Sequence, residues 1–195
     1  MFSSGLARWG VLGALIAGAA WIISSIANLA SAGEVPVLVA YVVAWLGTLG
    51  GLVGLHARHG SGYGWLGMTG FLAAFIGATL ALAGSLLTLM SRGEILHQDF
   101  LTQALGLGLF TTLVGLVLFG AGLVLLGFAT LLAREMPAWS GVVLIVAIPA
   151  AWILTGYGGS IVLGVVWLIL GYALWSGRRG EAAQQAAHLD QTSED

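Results

Sequence analysis

The stretch "MPAWSGVVLIVAIPAAWILTGYGGSIVLGVVWLILGYALWSG", Met136–Gly177, runs without a single charged side chain. A helix crosses the hydrocarbon core of a bilayer in about 20 residues at a rise of about 1.5 Å each. The stretch is therefore roughly twice what one span needs. It breaks at "TGYGGS", Thr155–Ser160, where Gly and Thr cluster as they do in turns, leaving about 17 apolar residues on either side. The reading that follows is two short spans joined by a tight turn.

The rest of the chain obeys the same rule. Only 7 % of residues are charged and 59 % are hydrophobic, with a mean hydropathy of +1.01, whereas a soluble domain carries about a quarter charged residues. The charges cluster and leave further free runs at Trp9–Gly33, Val35–Leu55, Gly60–Ser91 and Phe100–Ala133. Together these predict an all-α polytopic transmembrane bundle. Its six spans lie at about 9–30, 37–55, 65–90, 102–132, 139–155 and 160–176, so that 1–176 is a membrane domain and 177–195 a polar tail. A closed β-barrel is excluded because no run alternates polar and apolar residues with period two.

Orientation follows from the arginines, because Arg near span ends collects on the cytoplasmic side. With the N-terminus inside, Arg8, Arg58, Arg134, Arg178 and Arg179 are cytoplasmic and Arg92 alone is outside. Trp9, Trp65, Trp139 and Trp175 then share the cytoplasmic interface, where an aromatic belt is expected. The expectation is N-in and C-in. A rival reading takes Arg8, the first apolar run and "ASA", Ala30–Ala32, as a secretory signal with its cleavage site. The run is longer than the about 7–15 residues of a signal core, which favours a span.

The odd-numbered spans begin on Trp-Gly or a close variant ("RWGVLG", "GWLGMTG", "AWSGVV") and the even ones leave on Arg ("LHAR", "LLAR", "SGRR"). Three consecutive helical hairpins fit this pattern. Interfacial anchoring by Trp and Arg accounts for it without duplication and is the favoured reading. Glycine, with 31 residues, is the informative abundance, since small residues let helix backbones approach closely in lipid. Gly108, Gly115, Gly122 and Ala129 recur every seventh residue in the fourth span, and Gly47, Gly51 and Gly54 belong to overlapping G-x-x-x-G pairs in the second. These are helix-packing faces, within the chain, between copies, or toward partner transmembrane helices.

Several strings imitate sites. Gly62, Gly64 and Gly67 in "HARHGSGYGWLG", His56–Gly67, spell G-x-G-x-x-G, but a membrane helix precedes them and the next acid is Glu94, so they lack the strand and the spaced acid of a dinucleotide fold. His56 and His59 stand at i and i+3, too few for a metal site. "TGYGG" resembles a potassium-filter string but lacks its valine and leaves no room for a pore helix. No Cys and no Lys occur, and no acid or base falls within a span. Disulfides, Cys-ligated metals, Schiff-base chemistry and intramembrane acid–base catalysis have no residues to use. No catalytic residue, metal or cofactor is expected, and no nucleic-acid partner. Pro149 is expected to kink the fifth span.

One positive pattern remains. Under the N-in topology the uncharged polar residues crowd the outer half: Ser24, Ser25 and Asn28 in the first span, Ser85 and Thr88 in the third, Thr111 and Thr112 in the fourth. Trp21, Ser24, Ser25 and Asn28 share one helical face with Ala14 and Ala17. The pattern reads either as a polar pocket open to the outside, formed by Ser24, Ser25, Asn28, Thr111 and Thr112, or as ordinary hydrogen bonding between helices.

The Trp-Gly starts and the ending "WLILGYALWSGRR", Trp167–Arg179, resemble those of small, uncharacterised bacterial six-helix membrane proteins. The resemblance implies a bacterial cytoplasmic-membrane protein and carries no activity with it. The functional expectation is a non-catalytic membrane protein that packs with partner helices as an accessory component, in contact with membrane lipids. The alternative is a small transporter, or a lipid- or solute-binding protein, using the outer pocket.

Overall fold

The computed structural model describes residues 3–59, 64–92, 98–133, 138–154 and 159–192. Among the described residues six α-helices follow one another: α1 (Ser3–Leu29), α2 (Glu34–His59), α3 (Gly64–Arg92), α4 (Gln98–Ala133), α5 (Ala138–Ile153) and α6 (Gly159–Thr192). The protein is an all-α bundle, and five of the helices are long and apolar enough to cross a membrane. The sixth, α5, has only 16 residues, or about 24 Å of rise, and is the shortest. It runs through Pro149 and closes with a hydrogen bond from Leu154 N to Ala150 O.

The helices extend past the apolar runs. α2 begins at Glu34, whose charge favours a helix N-terminus, and Pro36 falls in its first turn, where a missing N–H costs nothing. α6 continues without interruption into residues beyond 176, so that the expected boundary between span and tail is not a break in the helix. The expected turn at "TGYG", residues 155–158, lies outside the described residues, as do residues 60–63 between α2 and α3.

Each helix packs against the next, and α6 returns to α1, which closes a ring. Consecutive helices run antiparallel, so the chain alternates between a proximal end, where α1 begins, and a distal end. Glycine sets the closest approaches. In α1 and α2 the facing pairs are Gly10 with Gly54, Gly13 with Gly50 and Gly51, and Ala17 with Gly47. In α3 and α4, Gly84 meets Thr112, Ala81 meets Gly115 and Ala74 meets Gly122. Gly18 against Gly164 carries α1 on α6, and Gly127 against Gly141 carries α4 on α5. A Cβ on most of these glycines would come within 3 Å of a neighbouring helix's backbone, which is why the position is kept bare.

The proximal half of the ring is filled by leucine, with Leu52, Leu55, Leu123, Leu126, Leu144 and Leu170 all but inaccessible. Trp9, Trp65, Trp139 and Trp175 stand exposed at the proximal end, and apolar side chains such as Ile23, Leu46, Ile76 and Val117 coat the outside, as a lipid solvent requires. Above the leucine layer three rings lie edge to face: Trp21 on Trp45 at 5.0 Å between centroids, and Trp45 on Phe119 at 5.2 Å. This aromatic tier spans the ring from α1 through α2 to α4.

Candidate functional site: a blind cavity in the distal half

Distal to the aromatic tier the ring is not filled. A cavity of about 310 Å³ lies there, and every one of the six helices contributes to its wall. Trp21 and Trp45 form the floor with Tyr41, whose ring stands edge-on to Trp21 at 5.5 Å. The indole Nε1 of Trp21 donates to Thr48 Oγ1 at 3.3 Å, which holds the floor in register with α2. Leu109, Leu116, Ile148 and Leu163 make apolar walls, and Trp152 of α5 stands at the side. Among the described residues no charged one lines the cavity.

The polar groups are few and placed by helix register. Ser25 and Asn28 lie a turn apart on α1, Ser85 and Thr88 on α3, and Thr112 and Ser160 come from α4 and α6, beside the rings of Tyr41, Trp45 and Trp152, each of which carries one polar atom. Three of the hydroxyls donate back to their own helices: Ser85 Oγ to Ala81 O at 2.8 Å, Thr88 Oγ1 to Gly84 O at 2.9 Å and Thr112 Oγ1 to Gly108 O at 2.8 Å. Each has then spent its proton, so it presents acceptor lone pairs to the cavity. Asn28 offers both a donor and an acceptor. The arrangement is a mainly apolar and aromatic chamber with a small number of directed polar atoms, as small-molecule sites in proteins have.

Of the residues singled out from the sequence, Ser25, Asn28 and Thr112 line this cavity. Ser24 is fully buried, but its hydroxyl donates to Trp21 O at 2.8 Å and it is not part of the wall. Thr111 is set off the cavity by its position on α4, and its hydroxyl donates to Leu107 O at 2.7 Å. Adjacent helical residues point about 100° apart, so Thr111 and Thr112 could not both face inward. The sequence reading passed over Tyr41, Trp45, Trp152 and Ser160. Tyr41 and Trp45 stand at i and i+4 on α2, a spacing that already places two rings on one face.

The glycine faces are taken up inside the chain. A Cβ on Gly115 would lie 2.5 Å from Ala81 N, and one on Gly108 would lie 2.7 Å from Thr88 Oγ1. A Cβ on Gly122 would strike Ala74, one on Gly47 would come within 2.5 Å of Ala17 N, and one on Gly54 would strike Gly10. Gly51 is bare because the Trp167 ring of α6 lies over it, 2.5 Å from where a Cβ would be. None of these six positions is left for a partner helix.

His56 is packed rather than presented, its ring stacked on Phe71 at 4.3 Å with an 18° tilt. Among the described residues no group of three or more His, Cys, Asp or Glu comes together as a metal site would require. No protein-family model matches this sequence, and no curated protein or solved structure matches it either.

Proposed function

We propose that this is a non-catalytic binding protein of the bacterial cytoplasmic membrane, which takes the apolar part of an uncharged or amphipathic molecule into the distal cavity from the outer leaflet. The observation that carries this reading is the blind, uncharged chamber to which all six helices contribute, closed below by Trp21, Trp45 and Phe119 and by the leucine layer. A permeation path would need polar or ionisable groups continuing through the proximal half, and that half is packed with leucine. The expected accessory role drew its support from the glycine faces, and these are occupied by the chain's own helices.

The test is direct. Trp21, Trp45 and Trp152 line the chamber, so a brominated long-chain alcohol added to the purified protein in mild detergent will quench part of the tryptophan emission in a saturable way. Leu116→Trp places a larger ring in the chamber and removes the saturable part. Asn28→Leu combined with Thr112→Val, each removing a hydrogen-bonding atom of about 1 kcal/mol, weakens binding about thirtyfold while the helix content stays unchanged. Quenching that is wholly non-saturable in the parent protein would overturn the reading.

A further inference from the structure

A second cavity, of about 430 Å³, lies between the α1–α2 turn and the end of α3. Asn28, Leu38 and Thr88 line both cavities, so the two adjoin. They differ in charge. Among the described residues the inner one has no charged group in its wall, whereas the outer one is bounded by Glu34 at the start of α2 and Arg92 at the end of α3, with Arg92 Nε 3.0 Å from Glu34 Oε2. Both side chains are well exposed, at 46 % and 64 %, and so exposed a pair contributes little to stability. It does place one cation and one anion side by side at the mouth of an apolar chamber.

We propose that the outer cavity is the headgroup subsite of a zwitterionic phospholipid of the phosphoethanolamine type, one of whose chains occupies the inner cavity. The proposal rests on the reading of the inner cavity as a binding site. The Arg92 guanidinium takes the phosphate through paired N–H donors, and the Glu34 carboxylate takes the ammonium. An anionic head without an ammonium leaves its phosphate facing the Glu34 carboxylate, where like charges repel. A head without any charge gives Arg92 and Glu34 nothing in exchange for each other. Asn28, common to both cavities, stands where the head joins the chain, and its amide can both donate to and accept from the ester and glycerol oxygens. The depth fits as well. From Glu34 to Trp45 α2 rises about 16 Å at about 1.5 Å per residue, roughly half of a hydrocarbon core of about 30 Å. A chain reaching the tryptophan floor therefore stays within the depth of one leaflet.

The full chain, purified in mild detergent and stripped of lipid, is offered phosphatidylethanolamine, phosphatidylglycerol and diacylglycerol of identical chains, and separately soluble phosphoethanolamine, with retention read by native mass spectrometry. Phosphatidylethanolamine is expected to bind about tenfold more tightly than either of the other two, the worth of one charge-assisted contact. Arg92→Gln should bring it to the level of diacylglycerol. Glu34→Gln should raise phosphatidylglycerol to the level of phosphatidylethanolamine. The double variant Glu34→Gln, Arg92→Gln leaves no charge unpaired and should hold diacylglycerol as the parent does, which shows that the fold and inner chamber are intact. Equal retention of all three lipids, or an Arg92→Gln protein that still prefers phosphatidylethanolamine, overturns the headgroup subsite while the chamber stands. Retention of none overturns both, and retention of soluble phosphoethanolamine replaces the lipid with a water-soluble ligand.

Discussion

Ser31 holds a backbone conformation that most residues avoid, with φ at +52°. It does so because α1 ends in a Schellman motif: Ala32 N donates to Ala27 O at 3.0 Å and Ser31 N to Asn28 O at 3.1 Å, which requires a left-handed residue between them. Glycine usually fills that position, since a Cβ there costs about 1 kcal/mol or more. Ser31→Gly should therefore raise the thermal unfolding midpoint in detergent, by a gain of about 1 kcal/mol, whereas Gly33→Ala, at φ +97°, should lower it. A fall in the midpoint for Ser31→Gly would show that the serine side chain contributes more than its backbone strain costs. The same turn sets the end of α1 that carries Asn28, the only asparagine in the chain. Its place beside a cavity was legible because an amide in an apolar run must find a polar setting. The aromatic floor was not legible, since Tyr41 and Trp45 in a membrane span look like any other bulky residues until the rotation of α2 is known.

Helix existence could be read from charge-free runs, but helix ends and rotations could not. Runs that are apolar all round carry no periodic signal for the inward face, because core and lipid ask for the same residue types. Small residues are the exception, and the seven-residue spacing in α4 does mark a true interface. It lies on α3, where Gly77, Ala81 and Gly84 receive it. Gly106, two residues before the seam's first member and so on the opposite side of α4, has nothing within 4 Å of an added Cβ. The two positions give predictions of opposite sign. Gly115→Ala forces a methyl to 2.5 Å from Ala81 N and should cost about 1–3 kcal/mol through overpacking. Gly106→Ala only removes helix-breaking freedom and should be neutral or stabilise by about 0.5–1 kcal/mol. Thermal unfolding followed by circular dichroism decides it; equal losses at both would mean that glycine is needed for α4 itself and not for its contact with α3.

The ring is polarised along its axis, with leucine and exposed tryptophan at the proximal end and the cavity at the distal end. Which side of the membrane the cavity opens toward is therefore decided by topology, and with it the leaflet that can supply a ligand. Among the described residues Arg8, Arg58, Arg178 and Arg179 belong to the proximal parts of their helices, the bias that marks a cytoplasmic face. The exception, Arg92, is paired with Glu34 at the other end. Four exposed tryptophans share the proximal end with the arginines, and their preference for an interface is independent of charge. Reporter fusions at Gly60, Glu135 and Gly180 should report the cytoplasm, and those at Gly33, Glu94 and Gly158 the outside. A second experiment weights the charge argument alone: Arg8→Gln with Arg58→Gln removes two of the proximal arginines and should yield a mixed population, whereas Arg92→Gln should leave a single orientation. If fusions at Gly33 and Gly158 report opposite sides, the short helix α5 does not cross. The cavity wall that α5 and α6 provide would then need a re-entrant arrangement, and the C-terminal tail would lie outside.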